Sequence, residues 1–194
     1  MKRSFSGMWL VVTLSVLWLG IQIVPAEPQA TRKPLIQMAV LLDTSGSMSG
    51  LIDQARTQLW KVVNEFATTR KNGEIPQLEV ALYEYGKSSL PKAGGYMRMI
   101  LPLTTDLDRV SEELFTLKTN GGSEFCGMVI GKATKNLEWS GSNGDLKVIF
   151  IAGNEPFTQG PVDYNEACKA AVSRGIIVNT IHCGSEHAGI QGKW

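Results

Sequence analysis

The chain has 194 residues, with 19 basic and 18 acidic side chains, a formal charge of +1 and 43% hydrophobic residues. That length holds one ordinary domain with a sizeable core and leaves no room for a second complete one. The near-neutral balance, with no lysine or arginine run beyond isolated pairs, argues against nucleic acid as a partner.

Lys2 and Arg3 precede a largely apolar stretch from Met8 to Val24, and Val24-Pro25-Ala26 places small residues before Glu27. This layout predicts a secretory signal peptide over residues 1–26, cleaved after Ala26. The alternative is an uncleaved anchor, although the stretch is near the short limit for spanning. No cysteine follows it, so a lipoprotein anchor is unsupported. Cleavage removes Lys2 and Arg3 and no acid, taking the 19 basic residues to 17 against 18 acidic, a formal charge of −1. The product is expected in the periplasm, at the cell surface or secreted, with no membrane span once the signal is removed.

Residues 27–34 are polar, contain Pro28 and Pro34, and read as a linker. Leu35 to Leu42 is then an apolar run that stops at Asp43 and turns small and polar through Thr44-Ser45-Gly46-Ser47-Met48-Ser49-Gly50. It predicts a central parallel strand buried on both faces, ending where ligands sit in such sheets. Leu51, Ile52, Ala55, Leu59, Trp60, Val62, Val63 and Phe66 recur at helical spacing, predicting an amphipathic helix of about five turns. Lys71-Asn72-Gly73 breaks it, and Leu78 to Tyr85 reads as a second strand ending at Gly86. In Tyr96 to Leu103 the residues Met97, Met99 and Leu101 alternate with Tyr96, Arg98 and Ile100, predicting a third strand. The short connection makes it antiparallel to the second, at the sheet edge.

Thr105 or Asp106 caps a helix running through Val110, Leu114 and Leu117. The loop Thr119-Asn120-Gly121-Gly122-Ser123-Glu124 leads into a helix from about Phe125 to Trp139. A strand follows from Leu146 to Ala152, then a helix from Val162 to Arg174 and a last strand from Ile176 to Cys183. Strands and helices alternate, which predicts a doubly wound α/β fold with a mostly parallel central sheet, one antiparallel edge strand and helices on both faces.

Asp43-x-Ser45-x-Ser47 brings one carboxylate and two hydroxyls onto a short turn. An all-oxygen set suits a hard octahedral cation, magnesium or manganese, better than zinc. A plainer alternative is that Asp43 and Ser45 cap the helix that follows.

The whole string Asp43-Thr44-Ser45-Gly46-Ser47-Met48, after an apolar strand and before an amphipathic helix, resembles the first metal-site motif of von Willebrand factor type A domains. The resemblance runs in order across roughly residues 35–184, within a domain assigned to 35–194. It implies a doubly wound fold carrying a metal-ion-dependent adhesion site and a protein ligand that offers an exposed Asp or Glu. The threonine that the family places after a Gly-Gly pair corresponds to Ser123, which keeps the oxygen donor. The family's aspartate at the end of the fourth strand corresponds to Gly153, a departure. Three fillers compete for that place: water, the Asn154 amide oxygen, and Glu155. The expected site is therefore Asp43, Ser45, Ser47 and Ser123 around Mg2+ or Mn2+, with Asn154 or Glu155 as candidates for the vacant position. The competing reading is a metal-independent structural or assembly subunit with a degenerate site.

No enzyme is expected. Gly46-Ser47-Met48-Ser49-Gly50 puts Met48 where a Gly-x-Ser-x-Gly nucleophile would stand, and no phosphate-loop lysine follows the first strand. A secreted hydrolase would need Ser47 or Ser123 to meet His182, a matter of geometry. Cys126, Cys168 and Cys183 are an odd set, none at Cys-x-x-Cys spacing, and exported chains favour disulfides, so one bridge and one free thiol are expected, the pair left open. The family fold continues past its fifth strand with another helix and strand, whereas only Ser185 to Trp194 remain here. The expectation is a C-terminally truncated frame with an exposed apolar edge.

Overall fold

The computed structural model describes residues 32–71 and 73–194. The predicted signal peptide and most of the linker lie outside them.

Strand β1, Leu35–Asp43, is buried along its whole length. It lies at the centre of a five-stranded sheet, paired in parallel with β2 (Gln77–Tyr85) and β4 (Leu146–Gly153). The edges are β3 (Arg98–Thr104), antiparallel to β2, and β5 (Ile176–His182), parallel to β4, giving the order β3-β2-β1-β4-β5. The alternation of β1 explains the layers. Ile36, Met38, Val40 and Leu42 join a core with Ala55, Leu59 and Val63 of α1 (Ile52–Thr68) and Val110 and Leu114 of α2 (Leu107–Thr116). Ala39 and Leu41 enter a second core with Cys126, Val129, Ile130 and Ala133 of α3 (Cys126–Asn136) and Ala167 and Ala171 of α4 (Tyr164–Ser173). The predicted doubly wound architecture is the one observed. Helix α2 is capped by Asp106, whose side chain accepts the Arg109 N–H at 3.0 Å.

The edge strand corrects one reading. Strict alternation would put Met97, Met99 and Leu101 on one face, yet Leu101 is buried, Met99 is 44% exposed and Met97 precedes the strand. The β2–β3 pairing shifts register between Val80 and Leu82 and again between Leu82 and Tyr83, and such irregularities turn neighbouring side chains to opposite faces.

The thiols correct another, since all three cysteines are free. Cys126 and Cys168 belong to the α3–α4 face, and the Cys126 Sγ lies 3.8 Å from the Tyr85 hydroxyl. Cys183 packs against the α1–α2 face, across the sheet from both. Burial pushes the Cys126 thiol up to about 12 and Cys183 up to about 11, so neither supplies much thiolate for exchange near neutral pH.

At the far edge β5 carries Ile177 at 52% exposure, and a short helix α5, Glu186–Gly192, follows it. No sixth strand pairs with β5 among the described residues. No helix among them is long and apolar enough to cross a membrane.

Candidate metal centre

The chain leaves β1 for β2 and β3 on one side and returns to β4 and β5 on the other, so the strand order reverses between β1 and β4. Crevices beyond the carboxyl ends of strands at such a reversal are where open α/β sheets bind ligands. Asp43 stands there as the last residue of β1, opposite Tyr85 at the end of β2.

Three loops close around it. The Thr44 N–H donates to the Tyr85 carbonyl at 2.8 Å and the Asn120 N–H to the Thr44 carbonyl at 2.9 Å, which ties the loop before α3 to the loop after β1. Glycines make this closeness possible. A Cβ on Gly122 would run into the Gly86 carbonyl, and one on Gly86, whose φ is +77°, would lie 2.7 Å from Asp43 Oδ1 and 3.2 Å from Glu124 Cγ and Ser45 Cβ.

Asp43, Thr44 and Ser45 are all buried. Asp43 Oδ1 accepts the Ser45 N–H at 2.7 Å, while Oδ2 is buried with no hydrogen-bond partner among the described residues. Burial is the main cause that lifts this carboxyl from its ordinary 3.8 to about 7, opposed by hydrogen bonds from Ser45 and from the Asn154 backbone and reinforced by the charge of Glu124. Ser45 Oγ lies 3.0 Å from Ser47 Oγ, and Ser47 Oγ donates to Asn154 Oδ1 at 3.1 Å. The helix-cap alternative is not realised: α1 is preceded by Leu51 without a side-chain cap, and neither Asp43 nor Ser45 bonds into it.

Of the predicted residues, Asp43, Ser45, Ser47 and Asn154 come together. Ser123 stands half-buried in the facing loop but makes no hydrogen bond to them. The Glu155 carbonyl accepts the Trp194 indole N–H at 2.8 Å, and its charge bears on Glu124. The place of the family's aspartate is filled: a Cβ on Gly153 would lie 2.6 Å from the Tyr85 hydroxyl, 2.9 Å from the Trp194 ring and 3.0 Å from Asp43 Cβ. The sequence reading assigned no role to Glu124, which is only 5% exposed. Desolvation raises its pKa, against hydrogen bonds from Gln159 and Ser45. The one sequence signal for it is its position directly after the Gly-Gly-Ser loop.

The cluster has more acceptors than protons. Ser47 Oγ gives its proton to Asn154 Oδ1, so the Ser45 hydroxyl proton is drawn to Ser47 Oγ and none is left for Asp43 Oδ2. Two buried carboxylates that form no ion pair among the described residues, one oxygen of which is orphaned there, fit a hard divalent ion held by oxygen.

Comparison with known proteins bears on the fold. The von Willebrand factor type A domain profile matches residues 37–189. No curated protein sequence matches the chain. Among solved structures, the proximal thread matrix protein 1 from the mussel byssus, with a zinc-occupied MIDAS motif, superposes with a TM-score of 0.56 at 17% identity over 77% of this chain and 38% of its own. An aerotolerance-related membrane protein from Bacteroides fragilis gives 0.52 at 18% identity, covering 77% of this chain and 68% of that one. The pilus adhesin SpaC from Lactobacillus rhamnosus GG gives 0.54 at 14%, covering 78% and 24%. The chain thus spans well under half the length of the mussel protein and of the adhesin, and at these identities the likeness is one of fold. With the profile covering most of its length and the sheet order, switch point and Asp-x-Ser-x-Ser turn all in place, the chain belongs to the von Willebrand factor type A domain family.

Proposed function

We propose that this domain is an exported, non-enzymatic binding module that recognises a protein partner through a divalent cation held at the β1 carboxyl end. The observation that carries this reading is Asp43 Oδ2, a fully buried carboxylate oxygen with no partner. Asp43 would hold the ion with the hydroxyls of Ser45 and Ser47, and Ser123 and Asn154 stand at the rim of the same crevice. The ion, when bound, supplies an open coordination position for an Asp or Glu oxygen of the partner. The donor set favours magnesium or manganese, although the mussel relative holds zinc at its motif.

Hydrolysis is the less favoured reading. His182 lies against Trp194, Gly184 and Gly189, and neither ring nitrogen meets Ser47 or Ser123. Export rests on the sequence of residues 1–26, and N-terminal sequencing of secreted material should begin at or near Glu27. Calorimetric titration with magnesium and manganese should give one site per chain, lost in Asp43→Ala with the fold retained. Absence of heat with either ion would leave a metal-free assembly role in its place.

A further inference from the structure

We infer that Glu124 supplies the second carboxylate of the cation site, from the loop before α3, in place of the acid that Gly153 lacks. This rests on the metal reading above and specifies how this chain completes the site.

The empty position cannot be refilled from β4. Gly153 is enclosed by the Tyr85 hydroxyl, the Trp194 ring and Asp43 Cβ, all within 3.0 Å of where a Cβ would stand. Asn154 contributes an amide oxygen, but that oxygen already accepts the Ser47 hydroxyl and carries no charge. Glu155 is only half-buried, whereas Glu124 is buried, and the bond from the Trp194 indole is to its backbone carbonyl.

Glu124 meets the requirement from the opposite wall. Its Cγ, Asp43 Oδ1 and Ser45 Cβ all lie within 3.2 Å of one point, the position a Gly86 side chain would occupy. The backbone contact of Gly122 with Gly86 fixes the loop that carries it. Among the described residues Glu124 forms no ion pair, although it is 5% exposed and next to a second buried acid whose Oδ2 has no partner. Burying two like charges with no positive group between them is costly, and a divalent cation offsets both at once. A magnesium or manganese ion there would be balanced in charge by the chain alone.

The test is titration of the chain with Mg2+ and Mn2+, read by calorimetry and by the paramagnetic resonance of bound manganese, in the wild type, Glu124→Gln, Glu124→Asp and Glu155→Gln. Glu124→Gln keeps the shape and one acceptor oxygen while removing the charge, so it is expected to fold, which thermal unfolding in chelator checks. It should weaken both ions by at least about tenfold. Glu124→Asp should recover part of that loss, and Glu155→Gln should stay within about twofold of the wild type. Wild-type binding with an unchanged Glu124→Gln affinity overturns this assignment alone. A comparable loss in Glu155→Gln with none in Glu124→Gln reassigns the role to Glu155. A wild type that binds neither ion overturns the metal reading and this assignment with it.

Discussion

Two carboxylates stand on adjacent strands at the same end of the sheet, Glu84 on β2 and Asp43 on β1, and both are shut off from solvent. Glu84 is answered from within the chain: Lys87 Nζ lies 3.0 Å away, Arg98 Nε 2.5 Å, and the Thr44 hydroxyl donates at 3.2 Å. Asp43, one strand over, has the Ser45 N–H on Oδ1 and nothing on Oδ2. The same chemical group is treated as part of the architecture in one place and left incomplete in the other. The fold has the means to neutralise a buried acid next door and does not apply it to Asp43, which is what the proposed cation site requires.

The largest expected effect comes from making Glu84 resemble Asp43. Lys87→Met combined with Arg98→Met strands a buried charge with only Thr44 to serve it, and should cost about 3 kcal/mol of stability in urea unfolding. Magnesium affinity should stay within about twofold, because neither cation touches Asp43. A destabilisation below about 0.5 kcal/mol would mean that Glu84 is no better satisfied than its neighbour.

Next is Gly153→Asp, which restores the family's acid on paper. The enclosure of Gly153 predicts a loss of about 2 kcal/mol from overpacking, with no gain in metal affinity. A variant that binds magnesium more tightly at unchanged stability would show that Tyr85 and Trp194 yield more easily than their packing suggests.

The pH dependence has a definite sign. Asp43 takes up its proton at about 7 in the folded chain and at its ordinary 3.8 when unfolded. The folded state therefore holds a proton that the unfolded state has released, and the resulting stability is complete below pH 3.8 and drains away as pH climbs to about 7. In chelator this should appear as a decline in stability across that window, removed in Asp43→Asn. Added magnesium should restore stability above pH 7, with proton release on binding below it. A flat profile in chelator would place Asp43 in an environment as well compensated as that of Glu84.

Least of all, Ser123→Ala should weaken magnesium about threefold, the worth of one hydroxyl of about 0.5–1 kcal/mol. No change would remove Ser123 from the site and leave the facing loop represented by Glu124.

What could be read from the sequence divides along the line between local and distant contacts. Asp43, Ser45 and Ser47 were legible because one short turn after an apolar strand carries all three. The layers were legible because β1 alternates cleanly between two cores. Met99 was misread because a register shift in β2–β3 pairing leaves no mark in the sequence of β3. The disulfide was misread because cysteine count speaks to compartment, whereas bridging depends on which side of the sheet each thiol faces. Glu124 was overlooked for a similar reason: its partners, Asp43 and Gly86, come from segments far away in the chain, and only the glycine packing brings them within reach.

The central position of β1 has a consequence for how an ion would be detected. Asp43 closes a strand hydrogen-bonded on both sides and buried throughout, the kind of segment whose amides exchange with solvent only through the rarest openings. Loading the site should therefore leave deuterium uptake in β1 unchanged and slow it in residues 44–50 and 119–124, so the footprint of the ion would be read in its loops, against a strand that serves as the internal standard.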